Sequence, residues 1–173
     1  MTTKILVIGI AATLLATGCA TREPKPFAAG KDCFYPACTI SVEVVDDGNG
    51  GKKLKVEDDG NIIMGTRHRL VAIVWNLRTP GYEFRGDSIR PHVGRLGENK
   101  PATNQGDWDQ QIIPHANWYD SYSVTNHNSD RSTLSYDITV YPSHGTTGPP
   151  LSLNPVIAND AFQGRDHGFL MMK

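Results

Sequence analysis

The chain has 173 residues with 17 Lys and Arg against 18 Asp and Glu, a formal charge of −1, and 39% hydrophobic residues. Near-neutrality excludes the basic face that a nucleic-acid partner requires. A chain of this length buries roughly two thirds of its unfolded surface, so one core suffices without metal or cofactor, and past residue 18 no apolar run approaches the roughly 18 residues of a membrane span.

The chain opens with Lys4, an apolar stretch over residues 5–16 and the small residues Thr17 and Gly18 before Cys19. A cation, a short apolar run and small residues at a cut make an export leader over residues 1–18, too short to span a bilayer. Gly18-Cys19 resembles the lipobox of bacterial lipoprotein precursors, with Ala16 where that family most often carries leucine. The resemblance implies cleavage before Cys19, diacylglycerol and a further acyl chain such as palmitate on that residue, and the lipid as the membrane attachment. Ala20 stands where an aspartate would hold such a protein in the inner membrane, so the resemblance favours the outer membrane of the bacterial envelope. One acyl chain anchors only reversibly, and lipoprotein processing supplies the additional chains that stable anchoring needs.

Residues 19–32 form the expected tether, because Pro24 and Pro26 sit among Arg22, Glu23 and Lys25 with no apolar periodicity to bury. Cys33 and Cys38 then bracket a four-residue loop containing Pro36. In an exported protein whose first cysteine carries lipid they are an even pair, as a disulfide requires. The alternative is a metal site that takes both thiolates with a histidine.

From Cys38 the pattern is β. Residues 39–45 alternate polar with apolar, the glycine-rich acidic stretch 46–51 turns the chain, and residues 53–56 return along it, which predicts a hairpin. Asp46, Asp47 and Asn49 offer oxygen ligands for calcium, but no later glutamate completes the loop. A short strand at 61–64 precedes residues 69–77, whose bulk and β-branching predict a central strand around Trp75. Residues 82–84 and 88–89 are brief elements, and 94–104 reads as a polar surface loop. Strands at 112–113, 122–125, 134–141 and 151–157 follow, with no amphipathic helix anywhere. The tail 161–173 is charged and glycine-interrupted. Frequent turns among 11 prolines and 17 glycines predict one all-β domain over residues 33–160, an antiparallel Greek-key β-sandwich.

Trp75 and the run from Asp130 through Leu134, Tyr136, Ile138 and Val140 resemble the core tryptophan and penultimate strand of immunoglobulin-like domains. Ile138 stands where that family places the second inter-sheet cysteine, which implies an apolar contact between Ile138 and Trp75 in place of the disulfide. A cupredoxin-like sandwich reads similarly, but its copper site needs a cysteine near the last strand, and both domain cysteines lie at the other end.

Six histidines, His68, His92, His115, His127, His144 and His167, are scattered as exposed loop residues would be. Ser88 follows Gly86-Asp87 in a manner resembling the serine block of one esterase family, whose α/β fold this chain does not match. Arg85-Gly86-Asp87 also spells the integrin-recognition tripeptide. The richest surface candidate is the run from Asp107 to Tyr122, with Trp108, His115, Trp118 and Tyr119 as ligand-binding residues. Aromatic faces stack on the C–H faces of sugar rings while neighbouring amides and carboxylates bond hydroxyls. The reading expects a lipid-anchored, non-enzymatic envelope module that binds glycan or protein or gives structural support, with no cofactor, no metal and no nucleic-acid partner. A periplasmic metal-binding, cupredoxin-like domain is its alternative.

Overall fold

The computed structural model describes residues 30–34, 36–65, 69–94 and 102–160. The leader, Cys19, residues 20–29 of the tether, His68 and the tail with His167 lie outside them. Among the described residues twelve strands follow in chain order: β1 Lys31–Cys33, β2 Ala37–Asp46, β3 Lys52–Val56, β4 Ile62–Met64, β5 Val71–Leu77 and β6 Tyr82–Glu83; then β7 Ile89–Pro91, β8 Ile112–Trp118, β9 Ser121–Asn126, β10 Arg131–Pro142, β11 Leu151–Leu153 and β12 Val156–Asp160. They form two sheets packed face to face, an all-β sandwich. One sheet runs β1-β4-β12-β10-β11, with β6 and β7 also pairing β10; the other runs β3-β2-β5-β9-β8.

The β2–β3 hairpin forms as its alternation predicts, with Cys38, Ile40, Val42 and Val44 turned inward. Its acidic turn needs no calcium to hold it. Asp47 Oδ1 accepts from the backbone N–H of Asn49 at 2.7 Å and of Gly51 at 2.9 Å, while Gly48 and Gly50 take φ of 87° and 82°. Those two donors hold the Asp47 carboxyl below its ordinary range.

The sheets are mixed, which corrects the purely antiparallel expectation: β1/β4, β4/β12 and β2/β5 are parallel pairs. Alternation specifies a buried face but carries no strand direction. After β3 the chain turns through Glu57–Gly60, crosses to the first sheet as β4, and returns as β5 beside β2 in the same direction. A helix also forms where none is expected, α1 at Gln105–Gln111. Asn104 caps it by accepting from Asp107 N–H at 2.8 Å. At seven residues it is too short to show a 3.6-residue period.

Cys33 and Cys38 are joined by a disulfide with Cα atoms 5.1 Å apart. It links β1 in one sheet to β2 in the other, so it staples the two layers. Lys31 and Asp32, placed by sequence at the end of the tether, belong to β1 and correct the domain boundary by two residues.

The core fills the space between the sheets. Trp75, Tyr136, Ile40, Ile73, Ile138 and Ile157 are fully enclosed. The aromatic partner of Trp75 across the sandwich is Tyr136, with ring centroids 5.7 Å apart.

Candidate functional site

β8 is an edge strand of the second sheet, and it ends on the exposed Trp118, with the exposed Tyr119 next in the chain. Pro114 lies within it and a bulge separates Pro114 from Asn117, two devices that suit an edge because neither needs a complete ladder. Past the bulge, Trp118 pairs with Ser121 across a tight turn through Tyr119 and Asp120. That turn is fixed from behind: Leu77 N–H donates to Asp120 O and Phe84 N–H to Tyr119 O, each at 2.8 Å. With the backbone bonded inward, the two rings project outward, Trp118 69% and Tyr119 78% exposed.

His115 is exposed on the same strand, its Nε2 2.6 Å from Thr125 Oγ1, which turns the ring onto the outer face of the sheet. Register extends this face inward from the corner, where Trp118, Ser121, Asn76 and Ser41 lie in one row across β8, β9, β5 and β2. His115, Trp118 and Tyr119 therefore share one edge of the second sheet.

Trp108 does not belong to this surface, which corrects its place among the candidates. It is 5% exposed on α1 and packs on Tyr136 with ring centroids 6.2 Å apart. The neighbouring Gln111 is also turned inward, its amide donating to Ser129 Oγ at 2.9 Å and accepting from Ser129 N–H at 3.0 Å. Tyr122 points into the sandwich as well and donates to Gly86 O at 3.1 Å. Burial, with a smaller contribution from Asp87, raises its phenol above the ordinary range.

The other sequence motifs are absorbed by the scaffold. Arg85 Nε donates to Glu83 at 2.8 Å and its guanidinium lies 4.5 Å over the Tyr141 ring, while Asp87 accepts from Tyr141 Oη at 2.8 Å. Both charged side chains of the tripeptide are thus engaged by Glu83 and Tyr141 rather than presented as two open charges. Ser88 is fully buried and its Oγ accepts from Arg85 N–H at 2.8 Å.

His92 departs from the exposed-loop expectation. It is 1% exposed, with Nδ1 2.7 Å from Asp137 Oδ1 and 3.0 Å from Asn154 Nδ2, and Arg90 Nε stands 3.5 Å from the other Asp137 oxygen. Sequence reasoning missed this buried cluster. Its one signal was an acid, Asp137, set between Tyr136 and Ile138 in an otherwise apolar strand. Among the described residues no three His, Cys, Asp or Glu side chains converge on a point that could hold a metal ion. Both thiols of the site that would take two thiolates with a histidine are committed to the disulfide.

No protein-family model matches the chain, and no curated protein matches it.

Proposed function

We propose that this protein is an exported, lipid-anchored module of the bacterial envelope, acylated at Cys19, held on the outer membrane by that lipid, and without enzymatic activity of its own. Its work is recognition or support, carried by the Trp118–Tyr119 corner with His115 beside it, toward an envelope glycan or protein. The supporting observation is the exposure of two large aromatic rings on a backbone bonded to Leu77 and Phe84. Rings on a turn whose backbone is already hydrogen-bonded lose little backbone entropy when a partner covers them, which favours their use as anchors. The leader and Gly18-Cys19 supply the address, and the tether gives the domain reach above the headgroups.

The test is retention. Acylated full-length protein carrying Trp118→Ala should be lost from washed envelope fragments stripped of lipid by detergent, with its thermal unfolding unchanged. Wild-type retention by the variant would remove the corner from the account.

A further inference from the structure

We infer that Asn49 is a self-modifying site: in the folded protein its side-chain amide is lost to attack by the backbone nitrogen of Gly50, and the β2–β3 turn thereby gains a carboxylate or an isoaspartyl link. Asparagine carries the electrophile for this reaction in its own side chain, and the nucleophile is the backbone nitrogen of the residue that follows. Glycine in that place, lacking a Cβ, crowds the attack least. Of the chain's asparagines only Asn49 precedes a glycine.

The turn leaves both reacting groups open. Asp47 Oδ1 takes the N–H groups of Asn49 and Gly51, at 2.7 and 2.9 Å, and so holds the backbone on either side of Gly50. Among the described residues the Gly50 N–H donates to no group, and Asn49 and Gly50 are both exposed. A Cβ at Gly48 or Gly50 would meet nothing within 4 Å, so water and hydroxide reach the site unobstructed.

Elsewhere the fold withholds the nucleophile. The Leu77 N–H that follows Asn76 donates to Asp120 O, the His127 N–H that follows Asn126 donates to Gln111 O, and the Ser129 N–H that follows Asn128 donates to Gln111 Oε1. Asn154 precedes Pro155, which has no N–H. Asp47-Gly48 and Asp59-Gly60 offer the same ring closure, but a carboxylate lacks the amide's leaving group, and a Cβ at Gly60 would lie 2.9 Å from Pro155 Cγ.

The step balances with water as its only co-reactant. The Gly50 nitrogen bonds to Asn49 Cγ, the bond from Cγ to the amide nitrogen breaks, and the Gly50 proton leaves with that nitrogen as ammonia. Water then opens the succinimide at either carbonyl, to aspartate or to isoaspartate at position 49; nothing is oxidised or reduced. The aspartyl product sets a further carboxylate beside Asp46 and Asp47. The isoaspartyl product inserts a methylene into the backbone between the two N–H groups that share Asp47 Oδ1, so that oxygen no longer serves both.

The experiment ages the full chain in warm, mildly alkaline buffer, folded and in urea, and follows it by peptide mapping with mass spectrometry and by ammonia release. In the folded protein the segment 46–51 should lose its amide before any other asparagine does and resolve into two product forms. Its rate should lie within about tenfold of the rate in urea, and Gly50→Ala should slow it by about tenfold or more. Asn49→Gln, which would have to close a larger ring, should leave the segment unchanged over the same time, and it keeps the test open if Gly50→Ala folds poorly. A folded rate below that margin would show that the turn shields Gly50 and overturns the inference. Earlier loss at another asparagine, or an undiminished rate in folded Gly50→Ala, overturns it as well, as does ammonia release from Asn49→Gln equal to wild type.

Discussion

Tyr136 touches Trp75 across the sandwich at 5.7 Å and 58° between ring planes, while its hydroxyl donates to Gly60 O at 2.6 Å. One residue of β10 thereby joins the two sheets and pins the turn at which the chain changes sheet. Trp108 covers Tyr136 as well, at 6.2 Å, so the α1 segment depends on the same ring.

This arrangement predicts two separable losses. Tyr136→Phe keeps the ring contacts but leaves the Gly60 carbonyl without its buried donor, and should cost about 1–3 kcal/mol. Trp75→Ala removes the largest enclosed side chain and should cost about 3–5 kcal/mol. Urea unfolding measures both; an unchanged midpoint in Tyr136→Phe would mean that the hydroxyl bond adds nothing.

The tryptophans should separate by solvent access. Trp75 is 0% and Trp108 5% exposed against 69% for Trp118, and the chain has three in all. Iodide should therefore quench only the Trp118 component of native fluorescence. In Trp118→Phe the remaining emission should move to shorter wavelength and resist iodide. Strong quenching in that variant would show that Trp108 is open to solvent and return it to the candidate surface.

The disulfide should be what keeps β1 in place. In the loop-entropy model such a bridge contributes about 2 kcal/mol. β1 is three residues long and sits at the end of its sheet, where among the described residues its one strand partner is β4. Replacing Cys33 and Cys38 with alanine should lower stability by about that amount and speed amide exchange in Lys31 and Asp32 before any other strand. Equal denaturation midpoints with and without reductant would contradict it.

The strands were legible because alternation and β-branching are local properties of residues 39–45, 69–77 and 134–141. Trp75 was readable as core for the same reason, and the cysteine pair from its even count in a chain read as exported. Strand direction was not, since residues 37–42 present the same alternation whether β5 runs with them or against them. Trp108 and Trp118 are chemically alike in sequence, and only the fold sorts them, because α1 turns one inward while the β8 bulge and the tight turn carry the other out. The His92–Asp137 contact spans 45 positions and leaves no local pattern.

Acid should weaken the junction of β1 and β2 through Glu57. Its carboxylate takes a hydrogen bond from Lys31 and another from Ser41 N–H at 3.1 Å, which hold its carboxyl below the ordinary range. A carboxyl depressed by folding contributes stability that is fully present above the unfolded value of about 4.3 and is lost as pH falls through the lower folded value. Both partners are partly exposed, so solvent screening limits the effect to about 1 kcal/mol or less. Glu57→Gln should lower stability at neutral pH and match wild type at the acid end, flattening the limb below about pH 4. The Asp47 carboxyl is also held below its ordinary range, so the quantity to read is the difference between wild type and variant across pH. A difference that stays constant with pH would show that Glu57 acts through packing and not through its charge.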